Sequence, residues 1–196
     1  MPRTSETRCI QRGHGAPPQS NSGDDHGAGS AKTKEFEFMG KLSAGILLYR
    51  RHNEELEVFL VHPGGPYWWK KDLGAWSIPK GEHEKDDDAM SAARREFREE
   101  TGFAPAEGEF RPLGEVRLVS RKTISAWAIE GDCDASAVHS NLFEMEWPPK
   151  SGKVQEFPEV DRAGWFTLSA AREKIHASQG PFLERLLELI QPSSKS

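Results

Sequence analysis

The segment 81–103 constrains the fold of this chain more than any other part of its sequence, because it predicts a helix with one strongly acidic face. It places Glu96, Glu99 and Glu100 at positions i, i+3 and i+4. Side chains at that spacing lie on the same face of an α-helix, one turn apart, where like charges repel one another. A hard divalent cation such as Mg²⁺, which takes carboxylate oxygens as ligands, would be one reason for a sequence to keep these three glutamates together.

The boundaries of this helix are also visible in the sequence. The aspartates at 86–88 can cap its first turn and favour its positive end. Gly102 is suited to the left-handed conformation that ends many helices. Between them, Met90, Ala93 and Phe97 form an apolar stripe. This stripe predicts that one side of the helix packs on a hydrophobic core.

The same segment resembles the Nudix box, whose pattern is G-x5-E-x7-R-E-U-x-E-E-x-G-U, where U is aliphatic or aromatic. The residues that match are Gly81, Arg95, Glu96, Phe97, Glu99, Glu100, Gly102 and Phe103. Asp87 stands where the pattern has a glutamate, and its side chain is one methylene shorter. Weaker matches at 43–82 and 143–149 extend the resemblance, over roughly residues 41–177, to bacterial Nudix proteins described as predicted nucleotide pyrophosphohydrolases.

The resemblance implies a Mg²⁺ site, for which Mn²⁺ is a substitute. The family's ligands correspond here to the backbone carbonyl of Gly81 and the carboxylates of Glu96, Glu99 and Glu100. Glu96 is either a ligand or the base that takes a proton from water. Arg95 would orient the glutamates through charge-assisted hydrogen bonds, and its spacing predicts an i,i+4 pair with Glu99. We therefore expect Arg95, Glu96 and Glu99 to be catalytic.

A further acid is expected from outside the box. The stretch 155–166 resembles the family's run of acids before a Trp-Phe strand. Glu159 is the first choice for a catalytic role, as a fourth ligand or as the base, and Glu156 is the second. For each of them the alternative is an ordinary exposed loop glutamate.

Candidate substrate contacts lie just before the box. Lys80 and Lys70 could meet phosphates as point charges, and Trp68 and Trp69 could stack on a base. The alternatives are solvated surface lysines and tryptophans that serve as packing anchors.

The rest of the chain predicts an α/β fold: a Nudix-type α/β/α sandwich with a central mixed β-sheet and a loop-helix-loop catalytic box. The domain is expected at 39–192, after a flexible low-complexity tail at 1–38 and before a short tail at 193–196. Strands are predicted at 43–49, 56–62, 113–119, 123–130, 142–147 and 164–166, an extended piece at 76–79, and helices at 169–177 and 181–190.

The composition of the chain limits the classes of partner that it is expected to bind. The net charge is −5, which disfavours general nucleic-acid binding, because that binding depends on Lys and Arg neutralising phosphates. Two cysteines, Cys9 and Cys133, predict no structural disulfide and a cytoplasmic setting. No apolar run reaches transmembrane length and no signal-peptide core is present, so no membrane partner is expected. The expected partner is a small-molecule nucleotide or other diphosphate, and homodimerisation is left open.

Two functions follow from these observations. The first is a Mg²⁺-dependent hydrolase that cleaves a diphosphate linkage, with a nucleoside diphosphate linked to another moiety, a dinucleoside polyphosphate or a nucleoside triphosphate as candidate substrates. The second is a non-catalytic Nudix-fold nucleotide-binding or sensor module, motivated by Asp87 and the N-terminal tail.

Overall fold

A computed structural model describes residues 40–191 of the chain, which fall within one compact unit of contacts. The predicted tails at 1–38 and 193–196, and Cys9, lie outside the described residues. The strands are β1 (Leu42–His52), β2 (Glu55–Pro63), β3 (Lys80–His83), β4 (Arg111–Arg117), β5 (Thr123–Glu130), β6 (Leu142–Glu146), β7 (Val154–Pro158) and β8 (Val160–Thr167). The helices are α1 (Ala89–Thr101), α2 (Leu168–Lys174) and α3 (Gly180–Ile190), with 3₁₀ turns at Ala135–Ala137 and Ala177–Gln179.

The central sheet has the strand order β4-β5-β1-β2-β8, with β3 also paired to β1. Strand β1 is long enough for its first half to pair with β3 and its second half with β2, both antiparallel. On its other edge β1 runs parallel to β5, which makes the sheet mixed.

The alternation of side chains along β1 divides the core into two layers. On one face Ile46 and Leu48 pack with Ala93 and Phe97 of α1. On the other face, residues of β1 and β2 pack with α2 and α3, as Leu47 does with Phe182. Helices therefore cover both faces of a mixed sheet, and the predicted α/β/α sandwich is confirmed.

The predicted strands all correspond to observed ones, but β3 and β7 were not predicted. Both are short, and neither shows a regular alternation of apolar and polar residues. Strand β3 forms because the first half of β1 offers it a partner, and β7 forms by pairing with β6 in a separate two-stranded sheet. Long-range pairing, not local pattern, creates these strands.

Helix α2 ends earlier than predicted, at Lys174 instead of Ala177. Ile175 leaves the helix to form a bridge with Trp76, and the His176 N–H donates to the Trp76 carbonyl at 2.8 Å.

None of the helices within residues 40–191 is long and apolar enough to cross a membrane.

Candidate active site

Helix α1 carries the acidic face and is fixed at both ends as the sequence predicts. Asp88 caps it, because its carboxylate accepts the Ser91 N–H at 2.8 Å. Gly102 ends it in the left-handed region, with φ of 79°. The burial of Ala93 and Phe97 against the sheet fixes the rotation of the helix and so the direction of its acidic face.

Strand β3 brings Gly81 against this face. Gly81 pairs with Ala44 of β1, and its backbone lies so close to Glu96 that a Cβ at this position would overlap the Glu96 carboxylate. One residue earlier, the Lys80 N–H donates to the Glu100 carboxylate at 2.9 Å. The structure therefore brings Gly81, Glu96 and Glu100 together.

Arg95 contacts two of the glutamates. Its guanidinium donates to Glu96 at 2.8 Å and lies 3.9 Å from the Glu99 carboxylate. The predicted pair with Glu99 is thus the longer of the two contacts. The reason is a third contact, in which Arg95 donates to the Glu82 carbonyl of β3 at 3.3 Å and so lies on the side of Gly81 and Glu96.

Glu159 lies beside the box, whereas Glu156 does not share this environment. The pKa of Glu159 is raised by partial burial and by the negative charges of Glu96 and Glu99. Glu156 is exposed on β7, opposite Glu144 of the separate two-stranded sheet. This difference makes Glu159 the better placed of the two predicted acids.

A chain of backbone hydrogen bonds fixes Glu159 relative to α1. The Asn141 N–H donates to the Glu99 carbonyl at 3.1 Å, and the Glu159 N–H donates to the Asn141 carbonyl at 2.9 Å. The Glu159 carbonyl in turn accepts the Gly64 N–H at 2.9 Å. A Cβ at Gly64 would overlap the carbonyl oxygen of Pro158, so this approach requires glycine.

We expect Gly64→Ala to lower the free energy of unfolding by about 1–3 kcal/mol, the usual cost of overpacking, because the new Cβ meets backbone that must move. Urea denaturation would measure this loss. The control is Gly180→Ala, at a helical φ of −48° with no atom within 4 Å of the new Cβ. That substitution should stabilise the protein by about 0.4–1 kcal/mol. An equal effect of the two substitutions would contradict the proposed close approach.

Burial has its largest effect on the acid Glu100. Burial raises its pKa to about 7, and the charges of Glu96 and Glu159 add to the rise while Lys80 opposes it. Within residues 40–191, no group of three or more His, Cys, Asp or Glu side chains is already arranged around a single metal position. The donors are nevertheless all hard oxygens that repel one another, a set that fits Mg²⁺ or Mn²⁺.

Asp87 closes the loop before α1. Its carboxylate accepts the Glu84 N–H at 3.0 Å, and its charge contributes to raising the pKa of Arg95, after the larger effect of Glu96. Asp87 and Arg95 line the same surface cavity of about 480 Å³. The shorter side chain therefore supports the loop and the charge balance of Arg95.

Comparison with known families identifies this arrangement. The model of the NUDIX domain matches residues 39–186. The chain belongs to the NUDIX family. The comparison with curated proteins gave no match.

Solved NUDIX structures share the fold at low sequence identity. A C. elegans Ap4A hydrolase in a binary complex is 21% identical with a TM-score of 0.53, covering 76% of this chain and 97% of that chain. The NUDIX domain of Shewanella oneidensis NrtR complexed with ADP ribose is 16% identical with a TM-score of 0.54, covering 78% and 89%. A MutT protein from Methanosarcina mazei Go1 is 19% identical with a TM-score of 0.50, covering 80% and 99%. At these identities the likeness shows the fold alone.

The loop before β3 of this NUDIX domain separates the predicted substrate contacts into two groups. Trp68 and Lys80 line one cavity of about 280 Å³. Trp69 is 63% exposed, with the Lys70 ammonium 4.7 Å from the centroid of its ring, and neither residue lines that cavity. The structure thus brings Trp68 and Lys80 together and leaves Trp69 and Lys70 on the surface.

A buried histidine anchors this loop at Lys71. His62 is fully buried, and its Nδ1 lies 2.6 Å from the Asp161 carboxylate. Its Nε2 lies 2.8 Å from the Lys71 carbonyl oxygen. His62 therefore connects β2 and β8 to the loop that carries Trp68.

The 280 Å³ cavity also contains residues that the sequence did not single out, namely Lys122, His176 and Gln179. They lie between about 40 and 100 positions from Lys80 along the chain. No local motif links them, so only the tertiary structure reveals that they are neighbours.

Proposed function

We propose that this NUDIX protein is a Mg²⁺-dependent pyrophosphohydrolase that cleaves a diphosphate linkage in a nucleotide-type substrate. The candidates are a nucleoside diphosphate linked to another moiety, a dinucleoside polyphosphate and a nucleoside triphosphate. The observation that supports this proposal is the convergence of three box carboxylates and Glu159 beside the backbone of Gly81. Four acids near one another suit a site that neutralises a polyanion through divalent cations.

Each residue has a proposed role that follows from its position. Glu96, Glu99, Glu100 and the Gly81 carbonyl would hold Mg²⁺ or Mn²⁺, which when bound neutralises phosphate charge and acidifies water. Arg95 keeps the Glu96 carboxylate oriented by its 2.8 Å hydrogen bond.

Proton transfer is assigned to Glu159, with Glu96 as the alternative base. The raised pKa of Glu159 brings it closer to the neutral range in which a general base works best. Among residues 40–191, no carboxylate lies within ion-pair distance of the Lys80 ammonium. Lys80 is therefore suited to contact a substrate phosphate.

The ligands named for structural relatives are consistent with a nucleotide substrate. One relative is an Ap4A hydrolase and another is complexed with ADP ribose. Both ligands contain a nucleoside joined to a diphosphate or longer phosphate chain. These two compounds define the class of substrates to be tested.

A substrate panel tests the proposal directly. Purified protein with Mg²⁺, and separately with Mn²⁺, should hydrolyse at least one nucleoside triphosphate, dinucleoside polyphosphate or nucleoside diphosphate conjugate, with products identified by mass spectrometry. Chelation with EDTA should stop the reaction. Absence of metal-dependent hydrolysis across the whole panel would contradict the proposal.

Mg²⁺ should stabilise the fold independently of turnover, because it relieves repulsion among the acids. Saturation at about 100 times the Kd should add about 2.7 kcal/mol to the free energy of unfolding. Thermal unfolding with and without Mg²⁺ would measure the shift. Glu99→Gln and Glu100→Gln should reduce it, whereas Glu188→Gln, an exposed substitution on α3, should retain it. An equal shift in all variants would place the ion elsewhere.

A nucleotide-binding or sensor module is the second candidate, favoured by the engagement of Asp87 within its own loop. This alternative predicts saturable nucleotide binding without turnover, and no gain of activity from Asp87→Glu. Hydrolysis by the unmodified protein would exclude it.

A further inference from the structure

The 280 Å³ cavity that includes Trp68 lies next to the acidic site but is distinct from it. Lys80 belongs to both, because it lines the cavity while its backbone N–H donates to Glu100. The next residue, Gly81, contacts Glu96. A ligand in the cavity would therefore need to extend past only one residue to bring a phosphate to the carboxylates.

The lining of the cavity combines an aromatic ring with apolar surface. Trp68 is half-buried there, with the Lys71 ammonium 4.4 Å from the centroid of its ring. The apolar side chains that line the cavity are Pro63, Ala75, Leu118 and Ile124. Such a surface favours a flat, weakly hydrated ring system over a polar sugar.

Gln179 presents a hydrogen-bond donor in a fixed orientation. The residue is 3% exposed, and its Oε1 accepts the Ile78 N–H at 3.1 Å. Because a backbone N–H can only donate, this bond fixes which end of the amide is oxygen. Its NH₂ group donates one hydrogen to Ser77 Oγ at 3.2 Å, which leaves a second N–H for a ligand.

The charged side chains that line the cavity are basic. None of the described residues that line it is acidic, and Lys80 and Lys122 both contribute to it. Lys122 is paired with Glu82 at 3.1 Å. Of the two lysines that line the cavity, Lys80 is therefore the one available to meet the phosphate chain of a nucleotide.

We propose that this cavity receives the base of a nucleotide, with Trp68 as the stacking surface and the second N–H of Gln179 as a donor to an acceptor atom of the base. The proposal rests on the proposed function, since it assigns the organic half of the same substrate. The volume suits one base and part of its ribose.

Binding without metal tests the assignment independently of turnover. Affinities of the full-length protein for AMP, GMP, CMP, UMP and ribose 5-phosphate would be measured by calorimetry in EDTA. At least one nucleotide should bind at least tenfold more tightly than ribose 5-phosphate. Trp68→Ala should weaken that binding by about 5- to 150-fold, the range expected for loss of one stacked base.

A second variant tests the donor while preserving the fold. Gln179→Glu keeps an oxygen to accept the Ile78 N–H but removes the NH₂ group. We expect this substitution to weaken binding of the preferred nucleotide at least tenfold. Leu73→Ala is the control, since Leu73 is 69% exposed in the same loop and does not line the cavity. Circular dichroism and thermal unfolding would establish that each variant is folded.

The outcomes separate this inference from the proposed function. Equal affinity for ribose 5-phosphate and nucleotides, or unchanged nucleotide affinity in folded Trp68→Ala and Gln179→Glu, would overturn the cavity assignment. Continued Mg²⁺-dependent hydrolysis by those variants would leave the proposed function standing. Base-dependent binding without hydrolysis of any panel substrate would instead support the assignment of the cavity as a base-binding site and contradict the proposed hydrolase activity.

Discussion

Replacing Glu99 or Glu100 with glutamine is expected to abolish hydrolysis while leaving the protein folded. The amide keeps the size of the side chain but loses the charge that would hold the metal. Metal catalysis supplies several kcal/mol of transition-state stabilisation, so kcat/KM should fall by about 10²-fold or more. Steady-state kinetics on the best panel substrate would measure this loss.

Stability should change little in these variants. Burial raises the pKa of Glu100 to about 7, so a neutral side chain is well tolerated there, and an amide oxygen can still accept the Lys80 N–H. Glu188→Gln is the matched control, because Glu188 is an exposed glutamate on α3. Full turnover by both box variants would refute the assignment of the metal site.

Gly81→Ala is expected to lower kcat/KM by about 10²-fold, the cost of misplacing a catalytic group by about 1 Å. The new Cβ would overlap the Glu96 carboxylate, which is the mobile end of a side chain and can move away. The free energy of unfolding should therefore change by much less than in Gly64→Ala, where backbone must move.

Kinetics and urea denaturation of the same Gly81→Ala preparation would test this prediction together. Gly180→Ala controls for the loss of glycine flexibility, since its helical conformation accepts alanine. A large loss of stability, or unchanged activity, would show that the Glu96 carboxylate does not depend on the absence of a side chain at Gly81.

Much of the fold was predictable because its signals are local. The capping of α1 by Asp88 and its end at Gly102 depend on residues within a few positions of the helix. The strands with apolar runs were recognisable for the same reason. Strands β3 and β7 were not, because they exist only through pairing with β1 and β6.

The candidate site also has a part that the sequence predicts and a part that only the structure shows. The spacing of Glu96, Glu99 and Glu100 follows from helix geometry alone, and the sequence indicated the acidic face and its chemistry. Gly81 was assigned by resemblance, and the structure supplies the physical reason for a glycine there: its close approach to Glu96. The sequence also named Glu159 as the first choice and Glu156 as the second, but it contained no spatial reason for that order.

By itself, the sequence determined an acidic helix, its boundaries and the family to which the chain belongs, because the residues that indicate all three lie in the continuous segment 81–103. The tertiary structure decided which acid lies beside that helix, because the Glu159 N–H donates to the Asn141 carbonyl and the Gly64 N–H donates to the Glu159 carbonyl. It also decided that Trp68 and Gln179 share a cavity while Trp69 remains on the surface. These relations join residues far apart in the chain, and only the packing of the sheet with its loops and helices brings them together.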